Sequence, residues 1–425
     1  MSYTLSNKKT LRGDLTIPPD KSLSHRAVMF NSIAKGDASI SNFLMGEDCL
    51  STISVLRKLG VKIVVKDKNV FTYGQGIESL CAPQEILDVG NSGTTIRLMS
   101  GILAGRDFKC VLDGDSSIRK RPMNRIIKPL NMMGANISAK NNNENAPIEF
   151  DGGNLSFIEY DLPVASAQLK SALILAGIRS NDGIKIKEKA TSRDHTERLL
   201  SNMGASIDIQ GLNITVKPSI IESRDIIVPG DISSAAFWMV AGSIHHDSEI
   251  MIRNVGINET RSGIISVLDR MGASLDFYDK KDYSGEPACD ILVKTSNLKG
   301  TNISGKEIPL LIDEIPIIAL AAVFAEGETI ITDAEELRYK ESDRISLTVN
   351  WMKEAGAKVE EFQDGMKIMG TNYLSGGTFS SHGDHRLAMT LGIASLFSQE
   401  SITINNHEAS NVSYPGFWDN LNNLG

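Results

Sequence analysis

Two patterns of hydrophobic and polar positions alternate along this chain, and each recurs several times. In the first, an amphipathic segment ends in Leu or Met, meets Gly followed by Ala or Val, and passes at once into a run of alternating polarity. Glycine readily takes the left-handed conformation that ends a helix, so the pattern predicts an amphipathic helix followed directly by a strand. It occurs around Gly60, Gly134, Gly204, Gly272 and Gly356, and a shortened copy covers residues 421–425.

The second pattern is a polar loop followed by a segment that is apolar nearly all round. A helix of this kind must be largely buried, because it has no polar face to turn toward water. The copies cover residues 21–36, 93–105, 166–177, 231–242, 313–327 and 383–398. Short alternating runs, which predict strands with one face in water, lie at residues 38–42, 184–187, 249–253, 329–332 and 401–404.

Together the patterns predict an α+β fold of six internal repeats, with buried parallel helices inside and sheets outside. A chain of 425 residues exceeds what one hydrophobic core usually supports, so we expect two lobes of three repeats each. The predicted first lobe covers residues 18–228 and the second residues 229–425, with an N-terminal strand within residues 1–17 returning to the second lobe. That strand is predicted at residues 3–11. An elongated solenoid is the alternative, and it is less favoured because each repeat has its own inner helix.

Composition and charge narrow the class of protein. The chain is 41% hydrophobic and 23% charged, as in an ordinary globular protein, and its net charge of −8 argues against a general nucleic-acid binder. The four cysteines form no C-x-x-C pair, the first ten residues lack an apolar signal region, and no apolar run reaches the length of a membrane span. These features predict a soluble cytoplasmic protein. The histidines show no convincing ligand spacing, so we expect no metal.

Polar and basic residues collect at the starts of the buried helices. A helix start presents unpaired N–H groups and the positive end of the helix dipole, which favours anions. The residues concerned are Lys21, Ser22 and Arg26 in the first repeat, Gly93 in the second, Ser166 and Gln168 in the third, Asp313 in the fifth and Arg386 in the sixth. For any single start, an ordinary capped surface helix is the favoured explanation.

Three charged loops occupy matching places in the second, third and fifth repeats. They contain Arg121 (residues 116–122), Arg193 (residues 193–198), and the group Lys340, Glu341 and Arg344 (residues 338–344). A solvated charged face is the usual explanation for one such run, and a surface ion-pair cluster is the alternative for the last. Their recurrence at equivalent repeat positions favours a shared site for ligands with at least two anionic groups. Asp313, Glu341 and Lys340 are the candidates for proton transfer there.

Taken in order, these motifs resemble the EPSP synthase (3-phosphoshikimate 1-carboxyvinyltransferase) family over essentially the whole chain. The segments that carry the resemblance are residues 20–26, 90–94, 119–122, 166–168, 193–197, 313, 338–344 and 383–386. The resemblance implies an inverse α/β barrel of two lobes, each of three βαβαββ units, that close over the substrates. It also implies transfer of the enolpyruvyl group of phosphoenolpyruvate to the 5-hydroxyl of shikimate 3-phosphate, without a cofactor and in a monomer.

The resemblance also implies roles for individual residues. The shikimate 3-phosphate set is Lys21, Ser22, Arg26, Ser166, Gln168, Arg193, Asp313 and Lys340. The phosphoenolpyruvate set is Lys21, Gly93, Arg121, Gln168, Arg344 and Arg386. Asp313, Glu341 and Lys21 are the implied catalytic residues.

The chain departs from the family pattern at three places. Ala167 stands where many relatives have a second Ser, Glu336 stands where some have Asn, and residues 411–414 lack a Lys that some relatives place there. Three alternatives stay open: a sister transferase that acts on UDP-N-acetylglucosamine, an RNA 3′-phosphate cyclase of related fold, and a non-catalytic anion-binding protein. The absence of Cys from residues 113–122 disfavours the first, and the acidic charge disfavours the second.

Overall fold

The computed structural model describes residues 2–5 and 10–424. The helices are α1 (Lys21–Ile33), α2 (Glu47–Lys58), α3 (Gly93–Leu103), α4 (Asn124–Met132), α5 (Lys140–Asn143), α6 (Ala167–Gly177), α7 (His195–Asn202), α8 (Ile232–Ile244), α9 (Gly263–Met271), α10 (Ile308–Leu311), α11 (Ile315–Val323), α12 (Arg344–Glu354), α13 (His385–Ala394) and α14 (Phe417–Asn423). No helix within these described ranges is long and apolar enough to cross a membrane.

The strands are short and numerous. They are β1 (Ser2–Leu5), β2 (Leu11–Thr16), β3 (Lys35–Ser41), β4 (Lys62–Lys66), β5 (Asn69–Gln75), β6 (Leu87–Asp88), β7 (Lys109–Asp113), β8 (Ala135–Ala139), β9 (Asn145–Gly153), β10 (Glu159–Asp161), β11 (Ile184–Lys187), β12 (Ile207–Gln210), β13 (Asn213–Val216), β14 (Ile226–Ile227), β15 (Ser248–Gly256), β16 (Ser274–Tyr283), β17 (Glu286–Lys294), β18 (Asn302–Ile303), β19 (Glu328–Ile331), β20 (Lys358–Phe362), β21 (Gly365–Met369), β22 (Gly377–Ser380) and β23 (Ile402–Asn405).

The sheets repeat one topology. In the second repeat, the order is β6-β7-β9-β8, with β6 parallel to β7 and β9 antiparallel to both β7 and β8. The helix α3 connects β6 to β7 and α4 connects β7 to β8, which gives a βαβαββ unit. Four other sheets have four strands in the equivalent order, and the described part of the sixth has the order β1-β23-β22. The predicted α+β fold of six repeats is therefore confirmed.

Two compact units divide the chain. The first contains residues 19–228 together with residues 283–286, and the second contains the described N-terminal residues up to Pro18 with residues 229–282 and 287–424. Each unit has its own apolar core, to which three of the buried helices contribute. Every residue of α11 and of α13 is buried, and so is every residue of α8 except its last. The near-absence of a polar face in these sequences is explained by this burial.

Glycine ends the amphipathic helices as the sequence predicts. The helix α9 ends at Met271, and Gly272 follows with φ +92° in the left-handed region. Gly60, Gly134, Gly204 and Gly356 also have positive φ, between +82° and +106°. A side chain is strained in this conformation, so glycine is the natural residue at these turns. The sixth predicted stop, Gly425, lies outside the described residues.

The N-terminal region differs from the prediction of one strand over residues 3–11. Within its described part the chain forms β1, which pairs antiparallel with β23, and β2, which pairs parallel with β15 in another sheet. Residues 6–9 of the predicted strand lie outside the described residues. Both pairings join segments far apart in sequence, so the local pattern of polarity could not distinguish two strands from one.

Candidate active site

In the first unit, a buried chain of polar groups joins the starts of α1 and α3. His25 Nδ1 shares a hydrogen bond of 2.7 Å with Thr52 Oγ1, which contacts Thr95 Oγ1 at 2.7 Å. Thr95 Oγ1 in turn donates to Ser92 Oγ at 2.6 Å. Burial lowers the pKa of His25 to about 3, so the imidazole is neutral at physiological pH. This series of hydrogen bonds thus holds the two helix starts together without adding a charge.

Each of the three buried helices in this unit begins with a side-chain cap. Asp20 accepts from the backbone N–H of Leu23 at 2.8 Å, and Ser92 accepts from Thr95 at 3.1 Å. Ser166 accepts from the N–H of Leu169 at 3.4 Å. Ser166 therefore has a structural role as the cap of α6, in addition to any role in binding.

Arg26 is the most deeply buried of the predicted basic residues in the first unit, with 3% of its surface exposed. Its Nε donates to Thr196 Oγ1 at 2.7 Å, its Nη1 to the Ser22 carbonyl at 3.0 Å and its Nη2 to Ser171 Oγ at 3.0 Å. Its pKa is lowered to about 10, mainly by burial and also by the nearby charge of Arg193, against the opposing effect of Glu197. Arg26 therefore has neutral hydrogen-bonding partners and a charge that an anion would stabilise.

Gly93, Arg121 and Gln168 lie close together at the starts of α3 and α6. A Cβ built on Gly93 would lie 2.7 Å from Arg121 Nη1 and 3.0 Å from Arg97 Nη1. Arg97 Nη1 donates to Gln168 Oε1 at 2.6 Å, and Arg121 Nη2 donates to Asn91 Oδ1 at 2.7 Å. The missing side chain at position 93 is what allows two guanidinium groups to approach the helix start.

Lys21 lies at the first residue of α1 and pairs with Asp48. Its Nζ is 3.1 Å from Asp48 Oδ2, and less than a fifth of either side chain is exposed. The structure therefore brings Lys21, Ser22, Arg26, Gly93, Arg121, Ser166, Gln168 and Arg193 into one unit, at or beside three joined helix starts. We refer to this set as the first cluster.

Arg344 is the centre of a second cluster, which also contains Asp313, Lys340, Glu341, Asp384 and Arg386. The side chain of Arg344 is 1% exposed, so Arg344 is not part of a surface ion-pair network. Nε donates to Asp384 Oδ2 at 2.8 Å, Nη1 to Asp313 Oδ1 at 3.2 Å and Nη2 to Glu341 Oε2 at 2.7 Å. Burial disfavours the charged guanidinium, but the carboxylates, Asp384 foremost, outweigh it and raise the pKa of Arg344.

Two further cations approach Asp313. Lys340 Nζ lies 3.3 Å from Asp313 Oδ1, and Arg261 Nη1 lies 3.9 Å from Asp313 Oδ2. Asp313 is only 14% exposed, so these contacts act with little screening by solvent. Both implied proton-transfer carboxylates, Asp313 and Glu341, are thus held by one guanidinium.

Ser233 joins the starts of α8, α11 and α13 within the second unit. Its carbonyl accepts from Arg386 Nη1 at 3.1 Å, and its hydroxyl accepts from Arg261 Nη2 at 2.7 Å. The same hydroxyl donates to Glu314 Oε1 in a short hydrogen bond. Asp384, whose Oδ1 caps α13 by accepting from the N–H of Arg386, completes the connection to Arg344.

Two arginines of the predicted loops, Arg119 and Arg338, are engaged in ion pairs within their own unit. Arg119 makes two hydrogen bonds to Asp113, at 3.0 and 2.7 Å. Arg338 donates to Asp343 and to Glu361. For these two arginines the ion-pair interpretation explains the charge.

His385, the first residue of α13, contacts Ser413 and Arg344. Its Nδ1 shares a hydrogen bond of 2.5 Å with Ser413 Oγ, and its Nε2 lies 3.5 Å from Arg344 Nη2. In the part of the chain that the structure describes, no group of three or more His, Cys, Asp or Glu side chains could hold a metal ion.

Sequence reasoning did not single out Arg97, Thr196, Ser233 or Arg261. Arg97 could have been found, because it lies one helical turn after Gly93 and on the same face. Thr196 and Ser233 carry no charge, so no local signal distinguishes them from other polar residues near a helix start.

Comparison with known structures identifies the fold first. The enolpyruvyl transferase NikO from Streptomyces tendae is 17% identical, and the two chains superpose with a TM-score of 0.81 over 99% of this chain and 97% of that one. At this identity the likeness concerns the fold alone. The fold is that of an enolpyruvyl transferase.

Three comparisons identify the family. The profile of EPSP synthase (3-phosphoshikimate 1-carboxyvinyltransferase) matches residues 5–421. A 3-phosphoshikimate 1-carboxyvinyltransferase from Bacillus cytotoxicus is 50% identical over 422 residues, which are 99% of each chain. The EPSP synthase from Acinetobacter baumannii is 40% identical, with a TM-score of 0.90 over 100% of this chain and 98% of that one. The chain belongs to the EPSP synthase family, and the prediction of a carboxyvinyltransferase is confirmed.

Proposed function

We propose that the two clusters carry out the reaction of the family in this chain, with anion binding concentrated in the first and proton transfer in the second. The 5-hydroxyl of shikimate 3-phosphate attacks C2 of phosphoenolpyruvate, and C3 takes a proton. The C2–O bond to phosphate then breaks while C3 loses a proton. The products are 5-enolpyruvylshikimate 3-phosphate and phosphate, formed in the pathway to aromatic amino acids.

The surroundings of the arginines in the two clusters support this division of roles. In the first cluster, the hydrogen bonds of Arg26 go to neutral oxygens, so its buried charge would be stabilised further by an anion. In the second cluster, Arg344 is already surrounded by three carboxylates. A phosphate gains more from the first environment than from the second, whereas carboxylates are the groups that move protons.

Shikimate 3-phosphate is assigned to the basic helix starts. The proposed contacts are Lys21, Ser22, Arg26, Ser166, Gln168 and Arg193, with Asp313 and Lys340 from the second cluster. The buried guanidinium of Arg26 supports this assignment, because a phosphate dianion would restore the stabilisation that its charge loses on burial.

Phosphoenolpyruvate is assigned to Lys21, Gly93, Arg121, Gln168, Arg344 and Arg386. The close approach of Arg121 to the glycine turn supports this assignment, because backbone N–H groups and a guanidinium there can bind one anionic group together. The buried Nε of Arg386 has no hydrogen-bond partner among the described residues, which leaves a donor for a ligand.

Asp313 and Glu341 are the proposed proton-transfer residues. Arg344 holds one oxygen of each, at 3.2 and 2.7 Å, so both carboxylates are fixed in position before the substrates bind. Lys21 is the third catalytic candidate, since an ammonium can stabilise charge on the departing phosphate. We further propose that the chain acts as a cytoplasmic monomer without a cofactor.

A phosphate-release assay tests the proposal. Phosphate should appear when both phosphoenolpyruvate and shikimate 3-phosphate are present, and not when UDP-N-acetylglucosamine replaces the second. Release with the nucleotide sugar would assign the chain to the sister reaction, and binding of both substrates without release would assign it as an anion-binding protein. Lys21→Met and Glu341→Gln should each abolish or strongly slow release in a folded protein. Near-normal rates would remove these residues from the mechanism.

A further inference from the structure

A buried group of charges in the first unit has no part in the mechanism described above. Lys170 lies on α6, three residues from its first residue, and only 1% of its side chain is exposed. Its Nζ is 2.7 Å from Glu197 Oε1 and 3.1 Å from Glu188 Oε1. It also donates to the Ser192 carbonyl at 3.1 Å. We call Lys170, Glu188 and Glu197 the buried triad.

The triad fixes the backbone immediately before Arg193. Glu188 Oε1 accepts from Ser192 Oγ at 2.5 Å and from the Ser192 backbone N–H at 3.2 Å. The Ser192 carbonyl is held by Lys170. Three polar groups of one residue are therefore bound by two side chains, and all of them are buried. The loop that carries Arg193 has its preceding residue locked in place.

Neighbouring residues connect the triad to Arg26. Ser171, which follows Lys170, contacts Thr196 Oγ1 at 2.6 Å, and Thr196 precedes Glu197. Both hydroxyls accept hydrogen bonds from Arg26. Arg193 is near enough for its charge to lower the pKa of Arg26. The triad thus lies beside the proposed phosphate-binding arginines and not in a remote part of the core.

Stability alone does not account for such a group. Three buried charges are costly to desolvate, and well-packed apolar side chains at such positions are often equally or more stabilising. Burial also raises the pKa of Glu197 against the opposing effect of Lys170, which shows that the environment resists the charge. The specific geometry around Ser192 is what an apolar replacement could not reproduce.

We propose that Lys170 and Glu188 are positioning residues for the family reaction, which hold the loop at Ser192 so that Arg193 is directed at the phosphate of shikimate 3-phosphate. Glu197 balances the remaining charge of Lys170. This inference rests on the proposed role of Arg193 as a shikimate 3-phosphate contact.

The test measures the Kd for shikimate 3-phosphate by calorimetry, and KM for both substrates, in the full-length protein. Glu188→Leu removes the acceptor for Ser192 but leaves Lys170 paired with Glu197. We expect its Kd for shikimate 3-phosphate to rise about tenfold or more, with KM for phosphoenolpyruvate changed less than about threefold. Glu188→Gln keeps an Oε1 acceptor and should restore most of the affinity. Lys170→Met provides the second variant and should behave like Glu188→Leu.

Two controls separate positioning from general destabilisation. Arg106→Met removes another buried cation of the same unit, which pairs with the exposed Glu78 at 2.8 Å, beyond the opposite end of α3. It should lower Tm without changing Kd. In an Arg193→Ala background, Glu188→Leu should weaken binding no further than about twofold, because its effect passes through Arg193.

Each outcome bears on a different statement. If the wild type does not bind shikimate 3-phosphate, the proposed function is wrong. If the wild type binds and both triad variants, folded as judged by Tm, keep its Kd, the positioning role is wrong. The role is also wrong if the effect of Glu188→Leu is undiminished when Arg193 is absent, or if Glu188→Gln binds as poorly as Glu188→Leu.

Discussion

Gly93→Ala is the smallest substitution that tests the geometry of the first cluster. The added Cβ would lie 2.7 Å from Arg121 Nη1 and 3.0 Å from Arg97 Nη1, where 3.4 Å is the lower end of ordinary contact. The Arg121 guanidinium must therefore retreat by about 0.7 Å to reach that ordinary contact distance. Arg121 is buried and held by Asn91 at 2.7 Å, so it cannot simply swing into solvent.

The size of the effect follows from this displacement. A misplacement of about 1 Å in a binding group can cost about a hundredfold, so we expect KM for phosphoenolpyruvate to rise roughly 10- to 100-fold. The atoms that must move are the ends of two flexible side chains, because the atoms nearest the added Cβ all belong to Arg121 and Arg97 and none to the backbone. Its Tm should consequently remain within about 2 °C of the wild type.

Steady-state kinetics with each substrate varied in turn, together with thermal unfolding, measures both quantities. Gly101→Ala, two turns further along α3, is the matched control. Its Cβ would lie 2.2 Å from the Ala172 carbonyl, so it should destabilise the packing of α3 against α6 and lower Tm. If Gly93→Ala leaves KM for phosphoenolpyruvate unchanged, or lowers Tm as much as Gly101→Ala, the proposed placement of the anion at this turn is wrong.

Other substitutions test individual contacts. Arg344→Met should destabilise the second unit by about 3–5 kcal/mol, because it leaves buried carboxylates without their cation. Chemical denaturation followed by Trp fluorescence measures the free energy of unfolding. A loss below about 1 kcal/mol would contradict the account. Thr196→Val removes the acceptor for Arg26 Nε and should weaken shikimate 3-phosphate binding by about tenfold, whereas unchanged binding would remove that contact from the site. Burial raises the pKa of Cys110 to about 12, so at pH 8 a thiol reagent should modify the exposed Cys81 well before Cys110 in the folded protein; equal rates would contradict the described burial.

Features determined by local sequence were predicted well. The helix stops at Gly60 and Gly272 depend on one residue with left-handed φ, and the burial of α8 and α11 depends on an uninterrupted apolar composition. Capping is equally local, because Asp20 directly precedes α1 and accepts from the N–H of Leu23. The family motifs then gave the chemistry of the site as a resemblance.

Features that depend on distant partners were missed. The strands β1 and β2 pair with β23 and β15, and nothing within residues 3–11 reveals those partners. The hydroxyls of Thr196 and Ser233 matter because Arg26 and Arg261, from other segments of the same unit, donate to them. Arg344 looked like one member of a charged loop, and its buried charge is explained only by the carboxylates of Asp384, Asp313 and Glu341 around it.

The charge in a loop also proved a weak guide to its role. Arg119 and Arg121 are two residues apart in the same segment, yet Arg119 pairs with Asp113 and Arg121 turns toward Gly93. A sequence pattern can count these cations, but the fold decides which of them lies at the helix start beside Gly93.

Solvent deuterium in the product tests the central claim most directly. If carboxylates of the second cluster add a proton to C3 and then remove one, the reaction of phosphoenolpyruvate with shikimate 3-phosphate in D2O passes through a methyl group that carries one deuterium. Mass spectrometry should then detect deuterium at C3 of the enolpyruvyl product, formed slowly or not at all by Glu341→Gln. A wild-type product without deuterium would contradict a freely rotating methyl intermediate formed with a proton from solvent, and with it the account.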